Sequence, residues 1–305
     1  FALLLLHHWP SVPEENQIGH VLIDESQDLH AAQIELLARV TGKTITIVAD
    51  EGQRIYKRSF TWTQLGEEFL TGGRKTKVLK HTFRPTRQIL ACAKGLRLEE
   101  SLGTLADLPP VDIGEPDRDG PIPLMYSVQS RGSDPIQAQY QPVVELLGAL
   151  RGQYPDQTIG VLARHWSALD GLAAALDRQG TIAYNLVKER NDDVVRPGVK
   201  LTTFHSAKGL EFDQVVLIGV DEGIVPQPPD AHMTPEESDE HLRYERRLLY
   251  VAMTRARDAL HIIHGATASP FLAEIDPTTY QRQTLVAQPV TAIAGYDDSA
   301  DGIPF

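Results

Sequence analysis

The 305-residue sequence has a single cysteine, Cys92, and no apolar run long enough to span a bilayer. One thiol excludes an internal disulfide framework and is typical of proteins in a reducing cytoplasm. The most apolar stretch, FALLLL at residues 1–6, is far shorter than the roughly 20 residues of a transmembrane helix. It also lacks the basic flank and the cleavage site of a signal peptide. We therefore predict a cytoplasmic protein that does not associate with membranes.

An excess of positive charge is missing as well. The net charge of −12 argues against a protein that coats nucleic acid over its whole surface. Residues 74–87, RKTKVLKHTFRPTR, nevertheless contain six lysines or arginines and no acid. This cluster permits a local basic groove, although a solvated basic face explains it equally well.

A phosphate loop of the type G-x-x-x-x-G-K-[ST] is also absent from the sequence. Residues 41–44, TGKT, look like the end of such a loop, but position 37 is Leu. The segment follows a helix pattern and precedes a strand pattern, whereas a phosphate loop needs the order strand, loop, helix. We interpret TGKT as a turn. Because the chain starts at Phe1 without an initiator Met and within a helix pattern, we expect a missing amino-terminal part.

Strand and helix patterns alternate from the start of the chain to about residue 98. The run HVLID, at residues 20–24, has no polar alternation and predicts a parallel strand covered on both faces. The amphipathic helix AAQIELLARV and the strand TITIVAD follow it. Further patterns predict a helix at 64–70, the strand KVLK at 77–80, and a helix with Pro85 in its first turn. This βαβ order predicts a parallel sheet.

A second unit of the same kind follows a segment rich in Pro, Gly and Asp at residues 108–123. Its predicted elements, in order, are the strand PLMYS, the helix PVVELLGALRG, the strand TIGVLAR, the helix SALDGLAAALDRQG, the strands VKLTTF and DQVVLIGV, the helix YERRLLYVAMTRA and the strand ALHIIHG. We interpret PQPPDAHMTPEESDEH, at 226–241, as an acidic loop.

These patterns predict four parts of the chain. The first domain covers residues 1–107, a linker covers 108–122, and a second domain covers 123–285. No periodicity remains in residues 286–305, so we expect a flexible tail there.

The segment VLIDESQD, at residues 21–28, ends an apolar run in two adjacent acids, Asp24 and Glu25. Open α/β sheets bind ligands at the carboxyl ends of their strands. A hard cation such as Mg²⁺ prefers carboxylate oxygens, and an attacking water needs a second acid beside it. We predict that Asp24 holds the metal, directly or through water, and that Glu25 orients and deprotonates the water. The alternative is that the two acids only cap the next helix.

Four other segments carry polar side chains at strand or helix ends, and each alone is a weak signal. ADEGQRIY offers Gln53 as a sensor of a terminal phosphate, although such a turn is often purely structural. In HTFRPT, Phe83 can stack on a base while Arg84 reaches a phosphate. LTTFHSAKGLEF crowds polar residues into one loop at 201–212. We expect Arg255 to emerge near the end of a helix and bridge a domain cleft. Its alternative is a snorkelling surface arginine.

Five segments carry a family resemblance. VLIDESQD, ADEGQRIY, LKHTFRPT, VKLTTFHSAKGLEF and ERRLLYVAMTRA occur in the order of the motifs of superfamily 1 DNA helicases of the UvrD/Rep/PcrA type. The chain resembles that family over about residues 15–265. The resemblance implies an α/β fold with two RecA-like, parallel-sheet P-loop NTPase domains, the first incomplete at its N-terminus. It also implies ATP and Mg²⁺ as cofactors.

The resemblance implies a role for each matching residue. The acids Asp24 and Glu25 resemble the metal-binding and water-activating acids. The remaining nucleotide-site residues would be Gln53 at the γ-phosphate, the arginine fingers Arg84 and Arg255, Phe83 in place of the adenine-stacking tyrosine, Glu211 at the ribose hydroxyl, and Lys208 close to the phosphates. The predicted DNA-contacting residues are Tyr56, Arg58, Phe60, Trp62, Thr203 and His205.

The sequence departs from the family pattern at three points. The phosphate loop and the early DNA-contact motifs are not in it. Arg58 and Ser59 stand where the family commonly has an aromatic residue and an arginine, so Phe60 or Trp62 would supply the stacking. Only about 115 residues separate HTFRPT from LTTFHSAKGLEF, which is too few for the large accessory insertion of the best-known members.

We therefore predict an ATP-dependent DNA helicase or translocase that moves 3′ to 5′ on single-stranded DNA or at single-strand/double-strand junctions. The alternative is a non-catalytic nucleic-acid-binding remnant or regulatory module of the same fold. As an isolated piece, the chain is expected to bind ATP weakly and to hydrolyse it negligibly. The end DDSADGIPF resembles the partner-binding tip of bacterial single-stranded DNA-binding proteins. It predicts contacts with other repair or replication proteins, unless it is an incidental tail.

Overall fold

The computed structural model describes residues 2–8, 12–49, 84–96, 116–129, 134–186 and 195–286. Within these ranges the strands are β1 (Ile18–Ile23), β2 (Thr41–Ile47), β3 (Leu124–Gln129), β4 (Thr158–Ala163), β5 (Ala183–Asn185), β6 (Gly198–Thr203), β7 (Phe212–Ile218), β8 (Ala256–His264) and β9 (Gln281–Val286). The α-helices are α1 (Ala2–His8), α2 (Ala31–Arg39), α3 (Arg87–Lys94), α4 (Gln137–Gln153), α5 (Trp166–Arg178) and α6 (Pro235–Met253).

The first sheet pairs β1 with β2 in parallel, and α2 connects them. The predicted parallel strand is thus confirmed, but the prediction that both of its faces are covered is wrong. Exposure alternates along β1: Leu22 is 72% exposed, whereas the next residue, Ile23, is 6% exposed. The reason is that the described part of this unit covers one face. On that face α2 packs on β2 and buries Ile34 completely.

The segment TGKT forms the first four residues of β2 and is not the turn that the sequence predicted. The chain passes from α2 into the strand within two residues, because Thr41 Oγ1 donates a 2.6 Å hydrogen bond to the Leu37 carbonyl oxygen and Ile18 N donates to Val40 O at 2.7 Å. The order of helix followed by strand is as predicted. It is the reverse of the order that a phosphate loop requires.

In the described residues the second sheet has seven strands in the order β5-β6-β4-β7-β8-β3-β9, and all neighbouring pairs are parallel. Every residue of β4 and β6 is buried, as expected of central strands covered on both faces. Residues of α4 and α5 form the apolar core on one face, and residues of α3 and α6 form the core on the other. This three-layer arrangement confirms the predicted α/β class.

The two edge strands of this sheet, β5 and β9, were not predicted. The first has only three residues. The second, QRQTLV, is mostly polar and exposed, so it lacks the apolar run by which the other strands were recognised.

The helix α6 begins inside the segment predicted to be an acidic loop. Thr234 caps it, because Thr234 Oγ1 accepts a 3.2 Å hydrogen bond from Glu237 N while Glu237 Oε2 accepts one from Thr234 N at 2.9 Å. This reciprocal capping box starts the helix at Pro235, nine residues before the predicted start at Tyr244. The helix also ends earlier than predicted, at Met253.

The helix after Pro85 is confirmed, but Pro85 does not lie in its first turn. Thr86 is the N-cap, and its Oγ1 accepts a hydrogen bond from Ile89 N at 3.4 Å. Because the side chain of Thr86 already takes the capping position, the proline lies one residue outside the helix.

The predicted elements at 64–70 and 77–80 and the tail beyond Val286 lie outside the described residues. The predicted domain boundaries stay predictions. None of the helices within the described ranges has the length and hydropathy that crossing a membrane requires.

Candidate functional site

The acid pair lies in a tight turn at the carboxyl end of β1. Glu25 has a φ of 52°, a left-handed conformation that is uncommon outside glycine. The Asp24 carboxylate accepts a 2.8 Å hydrogen bond from Glu25 N, and Gln27 Nε2 donates to Glu25 Oε2. Neither acid caps α2, whose N-cap is His30, so the alternative of helix-capping acids does not apply. The turn therefore presents two exposed carboxylates at a strand end.

The turn is fixed to the end of β2. Ser26 donates two hydrogen bonds to the carbonyl oxygen of Val48, from its backbone N at 3.0 Å and from its Oγ at 2.6 Å. Val48 N in turn donates to Ile23 O at 2.8 Å. Both strand ends are thus held together beside the acids.

A loop of the second unit contacts this turn. Lys208, in the HSAKGLEF segment that follows β6, forms an ion pair with Asp28 and lies 3.5 Å from Glu25 Oε2. The side chain of Lys208 is 11% exposed, and that of Asp28 is 19% exposed. An ammonium group from the second sheet is therefore held by two carboxylates of the first.

The same loop makes a second contact with a segment that precedes the second sheet. Arg84 Nε donates a 2.8 Å hydrogen bond to Glu211 Oε2, and the two side chains are 37% and 48% exposed. Arg84 lies two residues before the N-cap of α3. The predicted arginine finger Arg84 and the acid predicted at the ribose hydroxyl thus lie directly against each other.

Arg255 does not emerge at the end of a helix, and it is not a snorkelling surface residue, because it is 1% exposed. Since α6 ends at Met253 and β8 starts at Ala256, Arg255 lies in the short turn between them. Its Nε donates to Val251 O at 3.0 Å and one terminal nitrogen donates to Leu210 O at 3.3 Å.

Thr203 and His205, the predicted DNA contacts of the second unit, lie at the carboxyl end of β6. Thr203 Oγ1 hydrogen-bonds with Ser206, and His205 Nε2 with the hydroxyl of Tyr244 on α6. Burial, followed by the charge of Arg164, lowers the pKa of His205, and Glu245 partly offsets this. Burial therefore favours the neutral form of the His205 ring.

Several predicted site residues lie outside the described residues and cannot be located. They are Gln53, Tyr56, Arg58, Phe60, Trp62 and Phe83.

The structure also brings forward polar residues that the sequence interpretation missed. Asp28 is part of VLIDESQD, so its place in that motif was an available signal. Arg164 directly follows β4 and forms a buried ion pair with Glu245, with a shortest distance of 2.7 Å. Glu245 lies in the YERRLLYV segment, where no local pattern indicates that it faces a residue 81 positions away.

The residues at the acid turn fit a Mg²⁺ ion bound together with phosphates. Magnesium commonly keeps several waters and takes one or two protein carboxylates, and Asp24 is an exposed carboxylate beside two other acids. No group of three or more His, Cys, Asp or Glu side chains in the described part of the chain forms an all-protein metal site. Burial raises the pKa of the Cys92 thiol to about 12, which excludes it as a thiolate nucleophile.

A parallel seven-stranded sheet with helices on both faces, next to a second parallel sheet with acids at a strand end, places the chain in the α/β class that includes RecA-like helicase domains. A family model described as the UvrD/REP helicase N-terminal domain matches residues 4–60. A model described as the UvrD-like helicase C-terminal domain matches residues 181–266. Parts of the chain are thus similar to the N-terminal and to the C-terminal domain of UvrD-type helicases.

Individual relatives match a shorter stretch. ATP-dependent DNA helicases PcrA of Staphylococcus aureus (strain Mu50) and Staphylococcus epidermidis (strain ATCC 12228) are each 38% identical over 87 residues. That stretch covers 28% of this chain and 12% of each relative. A solved structure described as the C-terminal domain of a possible DNA helicase from Lactobacillus plantarum WCFS1 is 22% identical, with a TM-score of 0.46. It covers 66% of this chain and 98% of that one.

Proposed function

We propose that this chain forms part of an ATP-dependent DNA helicase or translocase, in which two RecA-like domains couple ATP hydrolysis to 3′ to 5′ movement on single-stranded DNA. The observation that carries the proposal is the loop after β6. Its Lys208 reaches the acids of the first sheet, and its Glu211 pairs with Arg84. Residues assigned to one nucleotide thus converge from separate parts of the chain.

The proposed chemistry follows from these positions. Glu25 accepts the proton of the attacking water, and Asp24 provides the carboxylate for Mg²⁺. When bound, Mg²⁺ neutralises charge on the phosphates. Lys208 and Arg84 leave their carboxylate partners and bind phosphate oxygens, which releases Glu211 to accept a hydrogen bond from the ribose.

Arg255 has a different part in this proposal. Because its guanidinium is buried and bound to two carbonyl oxygens, it holds the loop beside Glu211 in the state described here. Contact with the γ-phosphate requires this buried guanidinium to become accessible as the domains close.

The DNA contacts are assigned to Thr203 and His205 at the end of β6, and to Tyr56, Arg58, Phe60 and Trp62. Stacked bases and neutralised phosphates are the usual means of holding a single strand. Movement of the loop after β6 then links the nucleotide site to the DNA contacts, because Thr203, His205, Lys208 and Glu211 lie within nine consecutive residues.

The central test is the substitution Glu25→Gln, which keeps the shape of the side chain but removes the base. DNA-stimulated ATP hydrolysis is measured on the 305-residue chain and on the chain extended upstream of Phe1. We expect the extended protein to lose turnover about 100-fold or more, in the range of general base catalysis. The matched control is Glu14→Gln, an exposed acid just before β1. Undiminished turnover in Glu25→Gln rejects this residue as the base.

The 305-residue chain alone is expected to bind ATP weakly and to hydrolyse it negligibly, since its sequence has no phosphate-loop lysine. Robust hydrolysis by this chain contradicts that expectation. Titration with labelled single-stranded DNA, with and without ATP, separates the proposal from a regulatory binding module. Tight DNA binding that is the same with and without ATP favours the regulatory module. We further propose a cytoplasmic location, a role in DNA repair, and contacts with repair or replication proteins through the tail.

A further inference from the structure

A cavity of about 380 Å³ lies beside the Arg84–Glu211 pair, and the described residues that line it are Arg84, Arg118, Glu211 and Arg257. Glu211 directly precedes β7, Arg257 is the second residue of β8, and Arg118 lies six residues before β3. The lining thus brings three guanidinium groups and one carboxylate to the amino-terminal edge of the second sheet. Arg118 and Arg257 have no role in the proposal above.

Each of the two additional guanidinium groups has a carboxylate partner. Arg118 pairs with Asp258, and Arg257 lies 3.6 Å from Asp213. The side chains of Arg118 and Arg257 are 41% and 44% exposed. Ion pairs with this exposure contribute little to stability and exchange readily for another anion.

Asp213 also forms hydrogen bonds with Thr158. Its Oδ2 accepts hydrogen bonds from the backbone N and from the Oγ1 of Thr158, each at 2.8 Å. Within the described part of the chain, the 3.6 Å separation on its other oxygen therefore leaves Arg257 only loosely paired with Asp213.

We propose that Arg118 and Arg257 bind the phosphate chain of a nucleoside triphosphate in the same cleft as Arg84. The inference rests on the proposed function and extends it by two residues. The planar fork of a guanidinium group matches two phosphate oxygens, and three such groups around one cavity suit a chain of several phosphates. Glu211, the acid among these four described residues, is the residue assigned to the ribose.

The ion pair of Arg118 allows a test in which two substitutions are expected to change phosphate binding in opposite directions. Asp258 competes with the ligand for Arg118, so removing the guanidinium weakens phosphate binding whereas removing the carboxylate strengthens it. A general loss of folding shifts both variants in the same direction. The two outcomes are therefore separable.

The experiment measures binding of inorganic tripolyphosphate and of ATP to the 305-residue chain by calorimetry at low ionic strength. Arg118→Gln and Arg257→Gln are each expected to weaken tripolyphosphate binding about five- to tenfold, as fits the loss of one charge-assisted contact at a partly exposed site. Asp258→Asn is expected to strengthen it about two- to threefold. The control is Arg178→Gln, whose side chain bonds the Ala174 carbonyl on α5 and which is expected to leave binding unchanged.

Three results overturn the inference. They are no measurable tripolyphosphate binding by the unsubstituted chain, arginine variants that stay within twofold of it, and an Asp258→Asn variant that weakens binding as Arg118→Gln does. None of these three binding results bears on the Glu25→Gln test, which measures ATP hydrolysis. Conversely, tripolyphosphate binding can depend on the arginines while Glu25→Gln retains full turnover. That combination supports the anion site and rejects Glu25 as the base.

Discussion

The two parallel sheets come from similar sequence patterns, but they are covered very differently. In β1, Ile18 and Leu22 are 54% and 72% exposed, whereas every residue of β4 is buried. The difference teaches that an apolar run indicates a strand, while the number of its covered faces depends on the helices that pack there. In the second sheet helices cover both faces, and in the described part of the first only one face is covered.

Phe212→Ala, at the start of β7, tests this comparison. We expect it to have the largest effect on the free energy of unfolding. Phe212 is fully buried, and its ring fills the space above Gly160, where an added Cβ would come within 2.4 Å of it. Removing the ring leaves a cavity, and we expect a loss of about 3–5 kcal/mol in the free energy of unfolding. Urea denaturation followed by circular dichroism measures it.

The matched substitution in the first sheet is Leu22→Ala, which removes an exposed side chain. We expect its effect to stay within about 0.5 kcal/mol. An equally large loss from both substitutions would break the comparison, because it would mean that the exposed face of β1 is packed as tightly as the core of the second sheet.

The second prediction contrasts a buried histidine with an exposed one. Burial lowers the pKa of His261, on β8, from 6.5 to about 4. Above pH 6.5 the ring is neutral in both folded and unfolded chains, but between pH 6.5 and 4 only the unfolded chain takes up the proton. The stability of the fold therefore falls as the pH drops, by roughly 3 kcal/mol over this range from His261 alone.

Urea midpoints measured from pH 7 to pH 4 check this. His261→Phe is expected to remove the part of the pH slope that this residue contributes, whereas His20→Gln, on exposed β1, leaves the slope in place. Because burial also lowers the pKa of His165 and of His205, a reduced slope remains in His261→Phe. An unchanged slope in that variant would count against a neutral, buried His261.

A smaller effect than these two is expected where the two units meet. Asp28→Asn removes one carboxylate from the Lys208 ion pair, and we expect a loss of about 1 kcal/mol or less that shrinks in high salt. Glu35→Gln is the control, because Glu35 pairs with Arg39 within α2. Hydrogen exchange in the loop after β6 distinguishes them: only Asp28→Asn is expected to raise it, and equal exchange in both variants would contradict a stabilising contact between the units.

Much of the fold could be predicted because the residues of a single segment are often enough to indicate a strand or a helix. The runs TIGVLAR and DQVVLIGV are apolar at every central position, and each became a buried strand. Errors arose where the local signal was weak or overridden. The start of α6 depended on the Thr234–Glu237 capping box, and the TGKT segment became a strand through pairing with β1.

The candidate site was less predictable, because its contacts join residues far apart in sequence. The pairing of Arg84 with Glu211 crosses 127 positions, and that of Lys208 with Asp28 crosses 180. The motif residues Asp24 and Glu25 could be chosen from their place at a strand end. The contribution of Arg118 and Arg257 to a cavity depends on the order of strands in the second sheet, which no single segment encodes.

Arg255 holds the chain on both sides of Glu211: its guanidinium binds the carbonyl of the preceding residue, Leu210, and its own carbonyl oxygen accepts the amide of the following one, Phe212, at 3.0 Å. A substitution that removes the guanidinium therefore frees the Leu210 carbonyl beside Glu211 as well as deleting a cation. Lost turnover in such a variant would report two defects at once, and only a comparison with a Glu211 variant would tell how much belongs to each.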